Sequence, residues 1–237
     1  MSRPQQSTVR NRLLKVLSPD DFALLQPHLE PLHVELRQTV IRPHEPVMQL
    51  FFPESGYVSV VAENSGGRIE VGMIGREGLV GASSVLLGAG TAPYLEFVQC
   101  PGEMLVIEAT AFCTAVDQSP TLRKLMLRYV QTKLVQARQT AFVNAAYTMD
   151  VRLARWILMC QDRLEGDEIP ITHEFIAMML GVQRAGATLT VQTLEGTGII
   201  KAQRGRITVR DREGLVALAD GSYGTTEAEY GRLIEGA

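Results

Sequence analysis

Apolar positions change their period along this chain. From Leu32 to about Glu108 they fall in short alternating or β-branched runs, residues 33–36, 39–42, 47–52, 57–63, 68–74, 94–100 and 104–108. Turn residues separate the runs at spacings of about ten, the texture of a β-sandwich or barrel. Asn64-Ser65-Gly66-Gly67 reads as a hairpin turn. Ahead of the strands, Leu13, Leu14 and Leu17 make a helical stripe over 11–17. Ser18-Pro19-Asp20-Asp21 then opens a second short helix over 18–29, with a capping Ser and a Pro at the first helical position. Residues 1–10 are polar and expected to fray.

Beyond the strands the spacing becomes helical. A short helix is expected over 109–116, and Pro120 opens a much longer one. Along it Leu127, Val130, Leu134, Ala137 and Ala141 are spaced three, four, three and four, an a/d seam flanked by Arg128, Gln131, Lys133 and Arg138. Such a seam fits a two-helix coiled coil joining two copies of the chain, or one long helix lying on its own β-domain. Leu153, Trp156, Ile157 and Met159 mark a further helix over 150–162, and residues 164–170 read as a loop.

Two short helices around a tight turn follow. Phe175, Ile176, Met179, Leu180 and Val182 hold helical spacing, Gly181 interrupts, and Leu189, Val191 and Leu194 resume it. Thr172 is placed to cap the first helix and Gln183 to begin the second, which opens on Arg184, Ala185, Gly186 and Ala187. A Gly in such a turn marks a helix-turn-helix. Its second helix lies in the major groove, where one long cation followed by small side chains allows close approach to base edges. Two β-rich runs, 199–203 and 207–210, then flank Arg204-Gly205-Arg206, a hairpin with cations at its tip suited to phosphate contacts. Helix-turn-helix plus basic hairpin is a winged helix. The DNA-facing set is Thr172, His173, Gln183, Arg184, Ala185, Gly186, Thr188, Arg204 and Arg206. A last short helix is expected over 213–219, with a weakly structured tail from Asp220.

Charge sharpens this picture by its distribution. The 237 residues carry a net charge of −3, which does not advertise a nucleic-acid partner. Between Pro170 and Arg212, however, Arg184, Lys201, Arg204, Arg206, Arg210 and Arg212 face only Glu174, Glu195 and Asp211. Composition is that of a globular protein, 46% hydrophobic and 21% charged. Cys100, Cys113 and Cys160 stand far apart, so neither a disulfide framework nor a thiolate metal site is expected. No secretory leader is evident and no apolar run nears the roughly 18 residues that span a bilayer, so a cytoplasmic protein without a membrane partner is expected.

One segment among the strands is different. Residues 75–90, GREGLVGASSVLLGAG, are small and Gly-rich. Backbone amides there can approach a ligand, with Gly78, Gly81, Ser83 and Ser84 as an anion cradle, or the glycines simply turn a β-roll corner.

The order β-roll, Gly-rich corner, long seam helix and winged helix resembles the Crp/Fnr family of bacterial transcription regulators, over roughly residues 19–212. The resemblance implies an α+β fold: an N-terminal jelly-roll β-roll over 1–118, a dimerisation helix over 119–147 and a C-terminal winged helix-turn-helix over 148–237. It implies a small-molecule effector in the roll, a homodimer, double-stranded DNA with a palindromic operator as partner, and RNA polymerase if the protein activates. The family's turn Gly falls on Gly181 and its base-contacting Arg on Arg184. The next position, commonly Glu, is Ala185, and a later Arg of the better-known members is Leu189, so a different operator is expected. Members that bind cyclic AMP carry a Gly-Glu pair, an Arg-Ser pair and a Thr-Ser pair, which fall here on Gly81-Ala82, Ala92-Pro93 and Ala137-Arg138. A cavity bounded by Gly81, Ala82, Ser83, Ser84, Ala92, Pro93 and Arg138 would lack the ribose carboxylate and the phosphate cation of that pattern. Cyclic AMP is therefore not expected to bind in the family's manner. The iron-sulfur members use an N-terminal cysteine cluster, whereas the first cysteine here is Cys100.

Two other functions compete. One is a DNA binder whose roll is purely structural. The other is a metal-dependent β-roll enzyme built on His33, Glu35, His44 and Glu45, which lack the His-x-His spacing of cupin sites. No catalytic residue, metal or cofactor is expected, since no nucleophile, base or carboxylate pair stands in a catalytic context.

Overall fold

In the computed structural model, residues 3–65 and 67–236 are described. The chain divides into two compact units, one of Met1–Ala62, Gly72–Leu134 and Tyr230–Ala237, the other of Glu63–Val71 and Val135–Glu229.

The first unit is built on two antiparallel sheets. One contains β1 (Glu30–Val34), β7 (Gly102–Glu108) and β3 (Gln49–Pro53) in the order β1-β7-β3. The other contains β2 (Thr39–Ile41), β6 (Leu95–Cys100), β4 (Tyr57–Asn64) and β5 (Gly67–Ile74) in the order β2-β6-β4-β5. Period-two alternation sorts their side chains. Phe51 and Met104 join Val34, Val58, Ile74 and Val98 in a core drawn from both sheets. Their neighbours Leu50, Phe52, Leu105 and Ile107 point the opposite way, into a second core closed by helices. Those helices are α1 (Arg12–Lys15), α2 (Pro19–Leu25), α3 (Ala82–Leu86), α4 (Ala109–Gln118) and the start of α5 (Pro120–Ala146). Ser18 Oγ accepts from the Asp21 amide at 3.1 Å, the expected cap. The Asp21 carboxylate accepts from the hydroxyls of Ser119 and Thr121 where α5 begins. Burial pushes its pKa up, but the Ser119, Thr121 and Ser18 hydroxyls outweigh that and hold it below the ordinary value.

Three expectations fail in this unit. Strand β1 starts at Glu30, before the expected run, because its register is set by β7, Glu30 against Val106 through Val34 against Gly102. The N-terminal segment is tied down: Val9 is buried, and Gln6 Nε2 donates to the carbonyls of Leu14 and Leu17. The tail does not fade from Asp220 either. Helix α10 (Thr225–Tyr230) runs into a π-helical turn, Gly231–Glu235, that places Tyr230 and Ile234 in the helix-side core. Glu235 pairs with Arg12 at 2.6 Å, and the Arg12 guanidinium lies 4.8 Å from the centre of the Tyr230 ring.

The second unit holds α6 (Met149–Gln161), β8 (Glu168–Pro170), α7 (His173–Leu180), α8 (Arg184–Gly196), β9 (Ile200–Gln203), β10 (Arg206–Val209) and α9 (Arg212–Leu218). The expected loop over 164–170 contains a strand: β8 pairs with β10, placing Ile169 opposite Ile207, both buried. The wing is therefore a three-stranded sheet, β8-β10-β9, its hairpin turned by Gly205 at φ 78°. Glu70 is buried and accepts from Trp156 Nε1 at 3.0 Å. The turn over 64–67 includes Gly66, which lies outside the described residues. Among the described residues, no helix is long and apolar enough to cross a membrane.

Candidate nucleic-acid interface and effector cavity

Thr172 begins the helix-turn-helix as a cap, its hydroxyl accepting from the Phe175 amide at 3.3 Å. Gly181 ends α7 at φ 64°, ψ 39°, a left-handed residue whose amide reaches the Ala177 and Met178 carbonyls. The same helix end is held from outside, where the Arg152 guanidinium donates to the Leu180 carbonyl at 2.5 Å. A cation at a helix C-terminus is the favourable sign for the helix dipole. Helix α8 then buries Ala187, Thr190, Val191 and Leu194 and exposes Arg184, Ala185, Leu189, Gln192 and Thr193. A single long face is left outward.

The DNA-facing residues anticipated from the chain divide into two kinds. Arg184, Gln183 and Ala185 are exposed, and among the described residues nothing pairs with the Arg184 side chain. Thr188 and His173 instead hold each other. Thr188 Oγ1 donates its one hydrogen to the Arg184 carbonyl at 3.0 Å, so His173 Nδ1–H, 2.9 Å away, donates to Oγ1. That link ties the start of α7 to the second turn of α8 and orients the exposed face. Gly186 is half-buried; a Cβ there would meet only Val182, at 3.9 Å.

The wing cations also differ among themselves. Arg204 is exposed at the tip, whereas Arg206 Nε donates to Gln203 Oε1 at 2.7 Å and its guanidinium lies 3.8 Å from Glu168. Arg212 is consumed internally. It pairs with Asp162 at 2.7 Å and takes the Tyr223 hydroxyl at 3.0 Å, and those partners outweigh the burial that works against its charge. The positive surface is thus carried by Arg184, Lys201, Arg204, Arg206 and Arg210.

A separate cavity of about 260 Å³ lies in the first unit. Gly81, Ala82, Ser83, Ser84, Ala92 and Pro93 line it, as the Gly-rich corner suggested. Arg138 does not: it is exposed further along α5, and the cation in the lining is Lys133, whose Nζ donates to the Met73 carbonyl at 2.7 Å. Gly78 does not line it either; a Cβ there would stand 2.5 Å from the Tyr129 hydroxyl, so this glycine makes room for Tyr129. The lining carboxylate is Glu96 on β6. Its Oε2 is buried with no hydrogen-bond partner among the described residues. Burial pushes the Glu96 pKa up to about 7, against the pull of Lys133 and a hydrogen bond from the Gly81 backbone. Glu96 was not anticipated from the chain; its strand parity, shared with buried Val98, is the one signal that could have found it.

Residues 151–218 match the Crp-like helix-turn-helix domain. The chain therefore carries a Crp-like helix-turn-helix domain. It is similar to the global nitrogen regulator of Nostoc sp. strain PCC 7120, 24% identical over 185 residues, which cover 74% of this chain and 82% of that protein. The fold is that of a Crp/Fnr-family protein from Eubacterium rectale, with TM-score 0.69 at 19% identity over 88% of this chain and 98% of that one. It is also that of the c-di-GMP-responsive regulator CLP of Xanthomonas campestris, with TM-score 0.64 at 18% identity over 88% and 100%. The chain thus combines a Crp-like helix-turn-helix domain with the fold of these Crp/Fnr-family proteins.

Other candidates stay apart. His33 is exposed on β1 and bonded to Glu103 at 2.7 Å, and His44 occupies a turn at φ 64°. Among the described residues no three His, Cys, Asp or Glu side chains gather as for a metal ion. The three cysteines are free, and burial pushes Cys100 up to about 11.

Proposed function

We propose that the protein is a Crp/Fnr-type transcription regulator that works as a homodimer on a palindromic operator, with α8 in the major groove, the wing on phosphate, and α5 pairing the two copies. The reading divides the work among residues 1–118 for effector sensing, 119–147 for dimerisation and 148–237 for DNA binding. The observation that carries it is the outward face of α8, with Arg184 exposed beside small side chains and without a partner among the described residues, followed by a cationic hairpin tip. The roll is proposed to take a small-molecule effector other than cyclic AMP. The Gly-rich corner and the strand that follows it offer no carboxylate at Ala82 and no cation at Ala92. Saturable binding of micromolar cyclic AMP to the purified protein would contradict that part.

The DNA contacts have separable signatures. Arg184→Ala is expected to cost about 1 to 3 kcal/mol on a selected operator and to relax preference at one base pair per half-site. Arg204→Ala and Arg206→Ala are expected to weaken all sequences alike and to make the salt dependence shallower. Anisotropy titrations of operator and random duplex at fixed salt measure both effects. Unchanged binding by all three variants would overturn the winged-helix reading.

A further inference from the structure

Leu189 is 65% exposed, the barest large apolar side chain on α8 and more open than Leu127 or Leu134 on the long helix. It does not extend a core or fill a cavity. Its neighbours on the outward face of α8 are Ala185 one turn before, Arg184 beside that, and Gln192 and Thr193 one turn after. No carboxylate shares this face: the acidic residue of α8, Glu195, turns away and accepts from the Ala202 amide at 2.9 Å. Thr188, the hydroxyl adjacent to Leu189 in the chain, is spent on the Arg184 carbonyl and His173, and the exposed hydroxyl of Thr193 lies a turn further from Arg184. The presented surface is therefore one cation at the helix start, then an apolar pair at 185 and 189, about 6 Å apart along the axis.

In the major groove the only apolar feature of a base edge is the C5-methyl of thymine, and Arg pairs best with guanine. We propose that Leu189, supported by Ala185, reads a thymine methyl in each half-site, one or two base pairs from the guanine met by Arg184. This rests on the DNA-binding reading above and makes that reading specific. Apolar contact with a methyl supplies what hydrogen bonding cannot here, because neither side chain has a donor or acceptor. The cationic wing tip supplies the base-independent attraction that brings the leucine to the groove.

The test uses full-length protein and its selected operator at fixed salt. Each thymine of a half-site is replaced singly by deoxyuridine, which deletes the methyl and leaves Watson–Crick pairing and O4 intact. Wild type is expected to lose about three- to fivefold in affinity at one thymine, the scale of one buried methyl, and little at the others. Leu189→Ala is expected to bind more weakly on the thymine operator and to show no deoxyuridine penalty at that position. Leu189→Arg is expected to move the preferred base there from thymine to guanine. Because Leu189 is exposed, thermal unfolding of both variants should match wild type. Equal affinity for every deoxyuridine operator, or a penalty that persists in Leu189→Ala, would overturn the proposal and leave Leu189 for a protein partner. Sequence-specific binding with no methyl dependence spares the DNA-binding reading, whereas no sequence-specific binding by wild type overturns both.

Discussion

Replacing Leu127 and Leu134 together by glutamate is expected to make the protein monomeric and to lower its affinity for a two-half-site operator by about a hundredfold or more. Helix α5 shows two apolar faces. One is buried within the fold and holds Leu122, Met126, Tyr129 and Val143. The other leaves Leu127 43%, Leu134 42% and Phe142 55% exposed, with Ala137 and Ala141 between them. A helix with a second apolar stripe open to water has a seam looking for a partner. Glutamate is a good helix former, and at exposed positions it costs a monomer little. In a two-fold pair it would desolvate four carboxylates against one another, a penalty of several kcal/mol. Light scattering, circular dichroism and operator titration on one sample separate the effects. A folded monomer with weak binding is the expected result; a double variant that remains dimeric would place the interface elsewhere.

Glu96→Gln is expected to stabilise the protein at pH 8 by about 1 to 3 kcal/mol and to change it little at pH 5. In the unfolded chain this carboxyl titrates near 4.5, and in the folded protein near 7. Between those values the folded state keeps a proton that the unfolded state releases. Stability from this group is therefore highest below pH 4.5, declines as pH rises to about 7, and stays low above it. The full difference is about 3 kcal/mol at 1.36 kcal/mol per unit. Glutamine keeps the shape and removes the charge that burial opposes. Lys133 remains anchored on the Met73 carbonyl at 2.7 Å. Urea unfolding of both proteins at pH 5 and 8 measures the difference, and a variant less stable than wild type at pH 8 would contradict the assignment.

The parts of the fold legible in the chain were those with a period. Alternation in residues such as Leu50-Phe51-Phe52 announced strands because successive side chains serve different cores. Gly181 announced the turn between α7 and α8 because a left-handed residue is needed there. Strand β8 escaped because three residues with one buried apolar side chain, Ile169, carry no period. The tail escaped for a different reason: Tyr230, Leu233 and Ile234 do stand at helical spacing, but the run is too short to hold a helix by itself, and tertiary burial orders it. In the cavity the glycines and serines were readable, but the charged lining was not. Lys133 looked like a seam-flanking cation, and it lines the cavity together with Tyr129, one turn earlier on the inner face of α5. Helical phase alone does not say which face of a doubly apolar helix meets its own roll.

Selection from a random duplex library at fixed salt distinguishes a symmetric dimer reading DNA through α8 from every other arrangement. A two-fold dimer is expected to enrich an inverted repeat whose half-sites lie about one helical turn apart. Enrichment of a lone asymmetric site, or of no sequence whether or not cell metabolites are added, would contradict it.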